Sequence, residues 1–270
     1  MIEIKNVQIG SNLPFVLIAG PCVVENEIIT ITTAEQIKKI TSKLGIPFIF
    51  KSSYKKANRT SIKSFKGIGD SEAISILNKV KKEFDLPLLT DVHSMEEVSL
   101  ISELVDVLQI PAFLCRQTEL LIAAGETGKV VNVKKGQFLA PEDMKHAIEK
   151  IESTGNKKIL LTERGTTFGY HNLVVDMRSL IIMKEFGYPV VMDATHSVQV
   201  PGNGGKTGGQ PKFIKPLAKA AAAIGIDALF LEVHPDPSNA LSDAESQLPL
   251  SELEKLLIEI QQLDNLAKKL

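Results

Sequence analysis

VVNVKKGQFLAPEDMKHAIEKIESTGNKKILLTER, residues 130 to 164, holds one full period of the pattern that runs through the chain. An apolar, β-branched run at 130 to 135 gives way to helical spacing from Pro141 to Ser153, and a second apolar run follows at 158 to 163. Each run is nearly continuous in apolar residues, as a strand covered on both faces requires. Working outward, the spacing predicts further strands at 15 to 20, 47 to 52, 87 to 92, 106 to 111, 189 to 194 and 228 to 233. Between them it predicts helices over Thr33 to Leu44, Ser71 to Phe84, Val174 to Phe186, Lys215 to Ile224 and Leu250 to Leu266, with shorter ones near 94 to 104 and 116 to 125. Strands that alternate with helices from end to end are repeated βα units. Eight such units close into a barrel more naturally than they form an open sheet, because closure removes both edges. The expected class is therefore α/β, a single-domain (β/α)8 TIM barrel over residues 1–270 with a short N-terminal extension; an open doubly wound sheet is the alternative.

The length of 270 residues suits this reading, since such barrels typically need about 250. With 44% hydrophobic residues, 23% charged residues and a formal net charge of -1, nothing global points to nucleic acid or an anionic membrane. MIEIKNVQIG lacks the basic start and apolar centre of a secretory leader, so a cytoplasmic location is expected. Cys22 and Cys115 are too few for a disulfide framework, and in a reducing compartment both stay thiols. Three connections are long: Ser53 to Asp70, Pro201 to Pro211 and Pro235 to Pro249. All follow strands, which in a barrel puts them at the C-terminal mouth where the chemistry is done. The string GNGGKTGG lacks the spacing of a nucleotide phosphate loop and reads as a lid.

Polar residues crowd the C-terminal ends of the strands, and in a barrel those ends converge. One group is cationic: Lys51, Lys56, Arg59, Arg116, Lys134 and Arg164. Gathered at one mouth of a nearly neutral protein, these charges would draw in a small polyanion, and Arg forks suit phosphate and carboxylate oxygens. The other group is Cys22, His196, Glu232 and Asp243. A thiolate, an imidazole and two carboxylates suit a single divalent ion such as Zn, Fe, Mn or Co, whereas for Cys22 on its own an inert buried thiol is the commoner fate. His93, His234 and Cys115 read as local packing or as supports behind the site.

These residues fall within GPCVVE (20 to 25), KSSYKKANRT (51 to 60), LTDVH (89 to 93), QIPAFLCRQT (109 to 118), NVKK (132 to 135), ERGTTFGY (163 to 170), DATHSVQ (193 to 199) and EVHPDP (232 to 237). In that order and over roughly residues 13 to 262, the strings resemble the 3-deoxy-D-manno-octulosonate 8-phosphate synthase family. The resemblance implies a (β/α)8 barrel, a homotetramer, and condensation of phosphoenolpyruvate with D-arabinose 5-phosphate and water, with release of inorganic phosphate, as a step of lipopolysaccharide sugar synthesis. It implies a phosphoenolpyruvate site of Lys51, Ser53, Lys56, Gln109, Arg116, Lys134 and Arg164. It assigns the aldose phosphate to Asn58, Arg59 and Thr60, with Asp91 and Gln199 beside the sugar, and the catalytic work to Lys51, Lys56, Asn58, Asp91 and His196. Thr60 stands where the family has Ser, and Cys115 where it has a small Ala. Because Cys22 replaces the Asn of the metal-independent form, the resemblance implies the metal-dependent form, with Cys22, His196, Glu232 and Asp243 as ligands. Three rivals remain open at this point: a sibling synthase that uses erythrose 4-phosphate, a Schiff-base aldolase working through Lys51, and a non-catalytic sugar-phosphate binding protein.

Overall fold

The computed structural model describes residues 1–59, 61–170, 172–200 and 208–269. Eight parallel strands close on themselves: β1 (Val16–Gly20), β2 (Phe48–Lys51), β3 (Leu88–Asp91), β4 (Val107–Ile110), β5 (Val130–Lys134), β6 (Ile159–Glu163), β7 (Val190–Asp193) and β8 (Ala228–His234). Closure is explicit in the register, with β8 pairing β1 at Phe230↔Ile18 and β7 at Val191↔Ala228. The open sheet is thereby excluded. Every strand lies within two residues of its expected place.

Helices α1 (Glu27–Leu44), α2 (Asp70–Phe84), α3 (Met95–Ser102), α4 (Thr118–Glu126), α5 (Met144–Glu152), α6 (Arg178–Lys184), α7 (Ile214–Ile224) and α8 (Leu250–Ala267) form the outer ring. The first helix starts earlier than its apolar spacing suggests, because the Asn26 side chain accepts the Ile29 N–H and caps it. By contrast α6 is shorter than expected: Asn172–Val174 pairs antiparallel with Thr166–Phe168, so that part of the 174 to 186 stretch belongs to a hairpin beyond β6. The N-terminal extension is also a hairpin, Ile2–Ile4 against Val7–Ile9.

Strand alternation divides the molecule into two apolar layers. Val16, Ile18, Ile49, Leu89, Val107, Val130, Leu160, Val191, Ala228 and Phe230 point inward and form one cluster with Ile2, Ile4, Val7 and Ile9. The N-terminal hairpin thus packs against the barrel interior. Residues of the opposite parity, such as Leu17, Phe50, Leu108, Val131, Leu161 and Leu229, belong to the cluster shared with the helices. Followed two residues at a time toward the C-terminal mouth, the inward row turns polar: Ile49 leads to Lys51, Leu89 to Asp91, Val107 to Gln109, Val191 to Asp193 and Phe230 to Glu232. The same alternation that fills the base of the barrel therefore furnishes its upper end with charges.

At the top of β1 only glycine fits. A Cβ on Gly20 would lie 2.0 Å from the Lys51 carbonyl oxygen, which is where the chain must turn to deliver Cys22 to the mouth. No helix among the described residues is long and apolar enough to cross a membrane.

Candidate active site

A cavity of about 290 Å³ opens at the C-terminal mouth. Lys51, Lys56, Arg59, Lys134 and Arg164 line it with Ser53, Asn58, Asp91, His93, Gln109, Gln137, His196, Gln199 and Asp243. Five of the six cations expected to converge therefore do so. Arg116 does not: the chain leaves β4 through a tight turn at Ala112–Leu114, which carries Arg116 outward to an exposed position off the cavity wall. Thr60 and residues 201 to 207 of the expected lid lie outside the described residues.

The cations are held by buried carboxylates. Lys51 Nζ donates to Glu232 Oε1 at 2.7 Å and to the Cys22 carbonyl at 3.0 Å, while Lys56 Nζ stands 3.8 Å from the same carboxylate oxygen. Burial works against the charged form of Glu232, yet His196, Lys51 and Lys56 outweigh it and keep the carboxyl below the ordinary range. Lys134 Nζ donates to Asp193 Oδ2 and lies 4.0 Å from the Phe230 ring centroid, a cation over an aromatic floor. Asp193 is held in the same way, with His196 and Lys134 overriding burial to depress its carboxyl well below the usual value. Burial pulls the Lys134 ammonium below the ordinary lysine range although Asp193 opposes it.

Asp193 was not among the residues expected in the site. It nevertheless organises this side of it: Oδ1 accepts the N–H groups of Thr195 (3.1 Å) and His196 (2.9 Å), and Oδ2 lies 2.8 Å from His196 Nδ1. The opposite ring nitrogen of His196 then faces Glu232 Oε1 at 3.6 Å. Asn132 was missed as well; its amide donates to Gln109 Oε1 at 3.1 Å and accepts from Thr162 Oγ1, fixing which face Gln109 presents. Both follow from inward parity on their strands.

On the wall formed by β1 and β8, Cys22 Sγ, a Glu232 oxygen and an Asp243 oxygen lie within 4.8 Å of one another. His196 approaches this trio from the Glu232 side without joining the same tight set. Cys22 Sγ is 3.3 Å from Asp243 Oδ2 and 3.1 Å from Ser242 Oγ, and burial, followed by Asp243 and Glu232, pushes the thiol up strongly. Glu232 Oε2 is buried with no hydrogen-bond partner among the described residues. A buried thiol beside two carboxylates, one with an oxygen to spare, is a donor set that calls for a cation. The residues fit a divalent ion.

The aldose side is built from the loop after β2. Arg59 donates to Ser242 Oγ at 2.5 Å and stands 3.7 Å from Asp243 Oδ1, while Asn58 is exposed at the rim. Asp91 Oδ2 is 3.2 Å from His93 Nε2, and His93 Nδ1 is 2.9 Å from Glu97 Oε2, which makes His93 a lining residue rather than mere packing. Arg164 Nη2 donates to Gln199 Oε1 at 2.8 Å; Nη1 is buried with no partner among the described residues, as are Ser53 Oγ and Asp91 Oδ1. Cys115 is buried against Gly136, behind the wall and off the cavity lining. What the arrangement offers is a cation-rich pocket beside a thiol and carboxylate trio, suited to seating a small polyanion against an electrophile.

The model of the family described as "DAHP synthetase I family" matches residues 1–269. Proteins named 2-dehydro-3-deoxyphosphooctonate aldolase are similar over almost the whole chain. The one from Trichlorobacter lovleyi is 56% identical over 264 residues, covering 97% of this chain and 97% of its own. That from Geobacter metallireducens is 56% identical over 268 residues, covering 99% and 98%, and that from Rickettsia felis is 55% identical over 270 residues, covering 100% and 98%.

Proposed function

The chain belongs to the DAHP synthetase I family, and from that premise we propose that it condenses phosphoenolpyruvate with D-arabinose 5-phosphate and water, giving 3-deoxy-D-manno-octulosonate 8-phosphate and inorganic phosphate. The observation that carries this reading is the convergence of Lys51, Lys56, Arg59, Lys134 and Arg164 on one cavity beside Cys22, His196, Glu232 and Asp243. In the reaction, C3 of phosphoenolpyruvate forms a bond to the aldehyde carbon while a water oxygen adds to C2. The tetrahedral centre at C2 then breaks its C–O bond to phosphate. Charge accumulates on phosphate and carboxylate oxygens throughout, which is what fixed cations in a dry pocket stabilise.

Within that scheme Lys51, Lys56, Lys134 and Arg164 hold the phosphoenolpyruvate anion, with Ser53 and Gln109 as neutral donors. Arg164 Nη1 and Ser53 Oγ need no existing bond broken to reach it. Arg59, Asn58 and Thr60 take the phosphate of the aldose, and Asp91 and Gln199 flank its hydroxyls. Arg116, exposed in one copy of the chain, stands outside this single-chain pocket. Cys22, His196, Glu232 and Asp243 would hold the divalent ion, which when bound supplies Lewis-acid polarisation of an oxygen at the reacting centre. Asp193 holds His196 and Lys134 in place.

The enzyme works as one barrel domain, in the cytoplasm, on a step of lipopolysaccharide sugar synthesis. We assign it a homotetramer: Phe113, Phe168 and Tyr170, 59%, 71% and 96% exposed, leave apolar surface on the loops of the mouth that a second copy can cover. Light scattering tests that assembly. The activity is tested by phosphate release on mixing phosphoenolpyruvate with arabinose 5-phosphate or with erythrose 4-phosphate, each with and without chelator. Faster turnover of the five-carbon aldose is expected, and preference for the four-carbon one would move the protein to the sibling reaction. Borohydride added during turnover should trap no adduct on Lys51, because Glu232 and the Cys22 carbonyl already engage its ammonium. No phosphate release from either pair would leave a binding protein.

A further inference from the structure

Lys135 and Glu163 lie on the wrong face for the chemistry described above. Their parity matches Val131, Val133, Ile159 and Leu161, which pack between barrel and helices, yet both are charged residues and both are buried. Neither lines the cavity. A buried ion pair is costly to desolvate and gives less stability than apolar packing of the same volume, so its presence in this layer needs a geometric explanation.

The contacts supply one. Glu163 Oε1 accepts two consecutive backbone N–H groups, those of Arg164 (2.9 Å) and Gly165 (2.6 Å), and Oε2 accepts from Ser179 Oγ at 2.6 Å in the first turn of α6. Gly165 has φ +90, and a Cβ there would stand 3.3 Å from Leu173, so the chain turns tightly where Arg164 enters the cavity. Lys135 Nζ sits 3.5 Å from Glu163 Oε1 and donates to Thr166 Oγ1 at 2.9 Å and to the Leu139 carbonyl at 3.3 Å. A backbone bond from Thr167 N–H to the Gln137 carbonyl, 2.9 Å, completes the clasp between the β5 and β6 loops. Those two loops carry Gln137 and Arg164, which face the cavity.

We propose that the Lys135, Glu163 and Ser179 network is a positioning device that sets the Arg164 guanidinium for the phosphoenolpyruvate anion, without touching substrate itself. This rests on the function proposed above. Because the device acts through a group that binds the anion in the ground state, its loss raises KM for phosphoenolpyruvate and leaves kcat and the aldose KM nearly unchanged. A merely structural pair would instead lower the melting temperature and the folded yield, with both KM values as in the wild type.

The test is steady-state kinetics of Lys135→Met, Glu163→Gln and Ser179→Ala with each substrate varied in turn, alongside calorimetric titration with phosphoenolpyruvate alone. Lys135→Met and Glu163→Gln should raise the phosphoenolpyruvate KM and Kd together, up to on the order of 100-fold, and Ser179→Ala should raise them by a smaller factor. The aldose KM should stay within about twofold in all three, well inside the range that misplaced binding groups produce. Wild-type values of KM and Kd for phosphoenolpyruvate in the folded variants, or an aldose KM that rises equally, would overturn the proposal. If Lys135→Met does not fold, Ser179→Ala decides by the same criterion. The titration needs no turnover, so a wild type that fails to release phosphate would refute the reaction while the placement of Arg164 is still read from Kd.

Discussion

Asp193→Asn removes one charge from the most heavily used carboxylate in the site and keeps its shape. Asp193 receives Lys134 Nζ, two backbone N–H groups and the Thr195 hydroxyl, and it faces His196 Nδ1 at 2.8 Å. The neutral amide can still accept the backbone donors. What it cannot do is balance the Lys134 ammonium, which is buried and already pulled below the usual lysine range. Breaking one side of a buried pair costs about 3–5 kcal/mol. In a chain of this size each kcal/mol moves Tm by about 2–4 °C, so the expected loss is about 6–20 °C. The sign with pH is fixed by the depressed Asp193 carboxyl: its contribution is present above the unfolded value of 3.8 and is lost as pH falls through the still lower folded value. The Tm gap between variant and wild type should therefore persist at neutral pH and narrow in acid, below about pH 4. Lys134 adds a second readout. Without Asp193 its ammonium gives up its proton at lower pH than in the wild type, so KM for phosphoenolpyruvate should begin to climb at a lower pH in the variant. Thermal melts and KM measured over a pH series check both. A variant that melts within about 2 °C of the wild type, with an unchanged KM profile, would refute the assignment of Lys134 and His196 to Asp193.

Cys22→Asn should fold, lose most of its bound metal and retain a residual activity that chelators do not touch; metal analysis checks it, and a folded but wholly inactive variant would count against the role given to Cys22. Gly20→Ala should yield little soluble protein, because its Cβ would meet the Lys51 carbonyl at 2.0 Å, backbone that cannot move aside cheaply. His93 is held above 6.5 because Asp91 and Glu97 outweigh burial, so its stabilising charge is fully present below the unfolded value and lost as pH rises through the folded one. His93→Asn should accordingly lower Tm more at about pH 6 than at about pH 9, and equal losses would contradict the pairing. Metal and phosphoenolpyruvate should each tighten binding of the other, since a cation at Glu232 and Asp243 relieves Lys51, Lys56 and Arg59 of their present partners; titrating metal with and without phosphoenolpyruvate reads the coupling, and independent affinities would refute it.

The barrel was legible because its strands are buried on both faces and so stand out as unbroken apolar runs; β5 and β6, around the quoted stretch, fall within a residue of their expected bounds. Three-residue strands leave no such run. Ile2–Ile4 and Val7–Ile9 show only one outward and two inward positions each, and of Asn172–Val174 the last residue also fits the start of the helical spacing that follows it. Lys51, Asp91, Gln109, Lys134 and Glu232 were visible as polar residues ending apolar runs. Asp193 ends one too and was passed over, although it lies two positions beyond inward Val191. Strand parity, applied before residue chemistry, would have found it. Arg116 differs: it follows β4 closely in sequence, but the turn at Ala112–Leu114 leaves it exposed and off the cavity wall of the single chain.

Parity also explains how a pocket lined by so many cations can belong to a chain whose formal net charge is -1. Each inward lysine is matched by an inward carboxylate on another strand or loop: Lys51 on β2 by Glu232 on β8, and Lys134 on β5 by Asp193 on β7, while Arg59 has Asp243. Such pairs hold long side chains in one rotamer, so the cost of ordering them falls on folding and not on substrate binding. They also leave few donors free. Among the described residues Arg164 Nη1, Arg59 Nε and Ser53 Oγ are buried without partners, and all three residues line the cavity. An arriving anion therefore finds those three donors open at once, whereas Lys51 and Lys134 must turn from their carboxylates to reach it. Selectivity for a substrate with several anionic oxygens follows: a single charge is served by the open donors of Arg164, Arg59 and Ser53, and a group with further oxygens is needed to draw Lys51 and Lys134 away from Glu232 and Asp193.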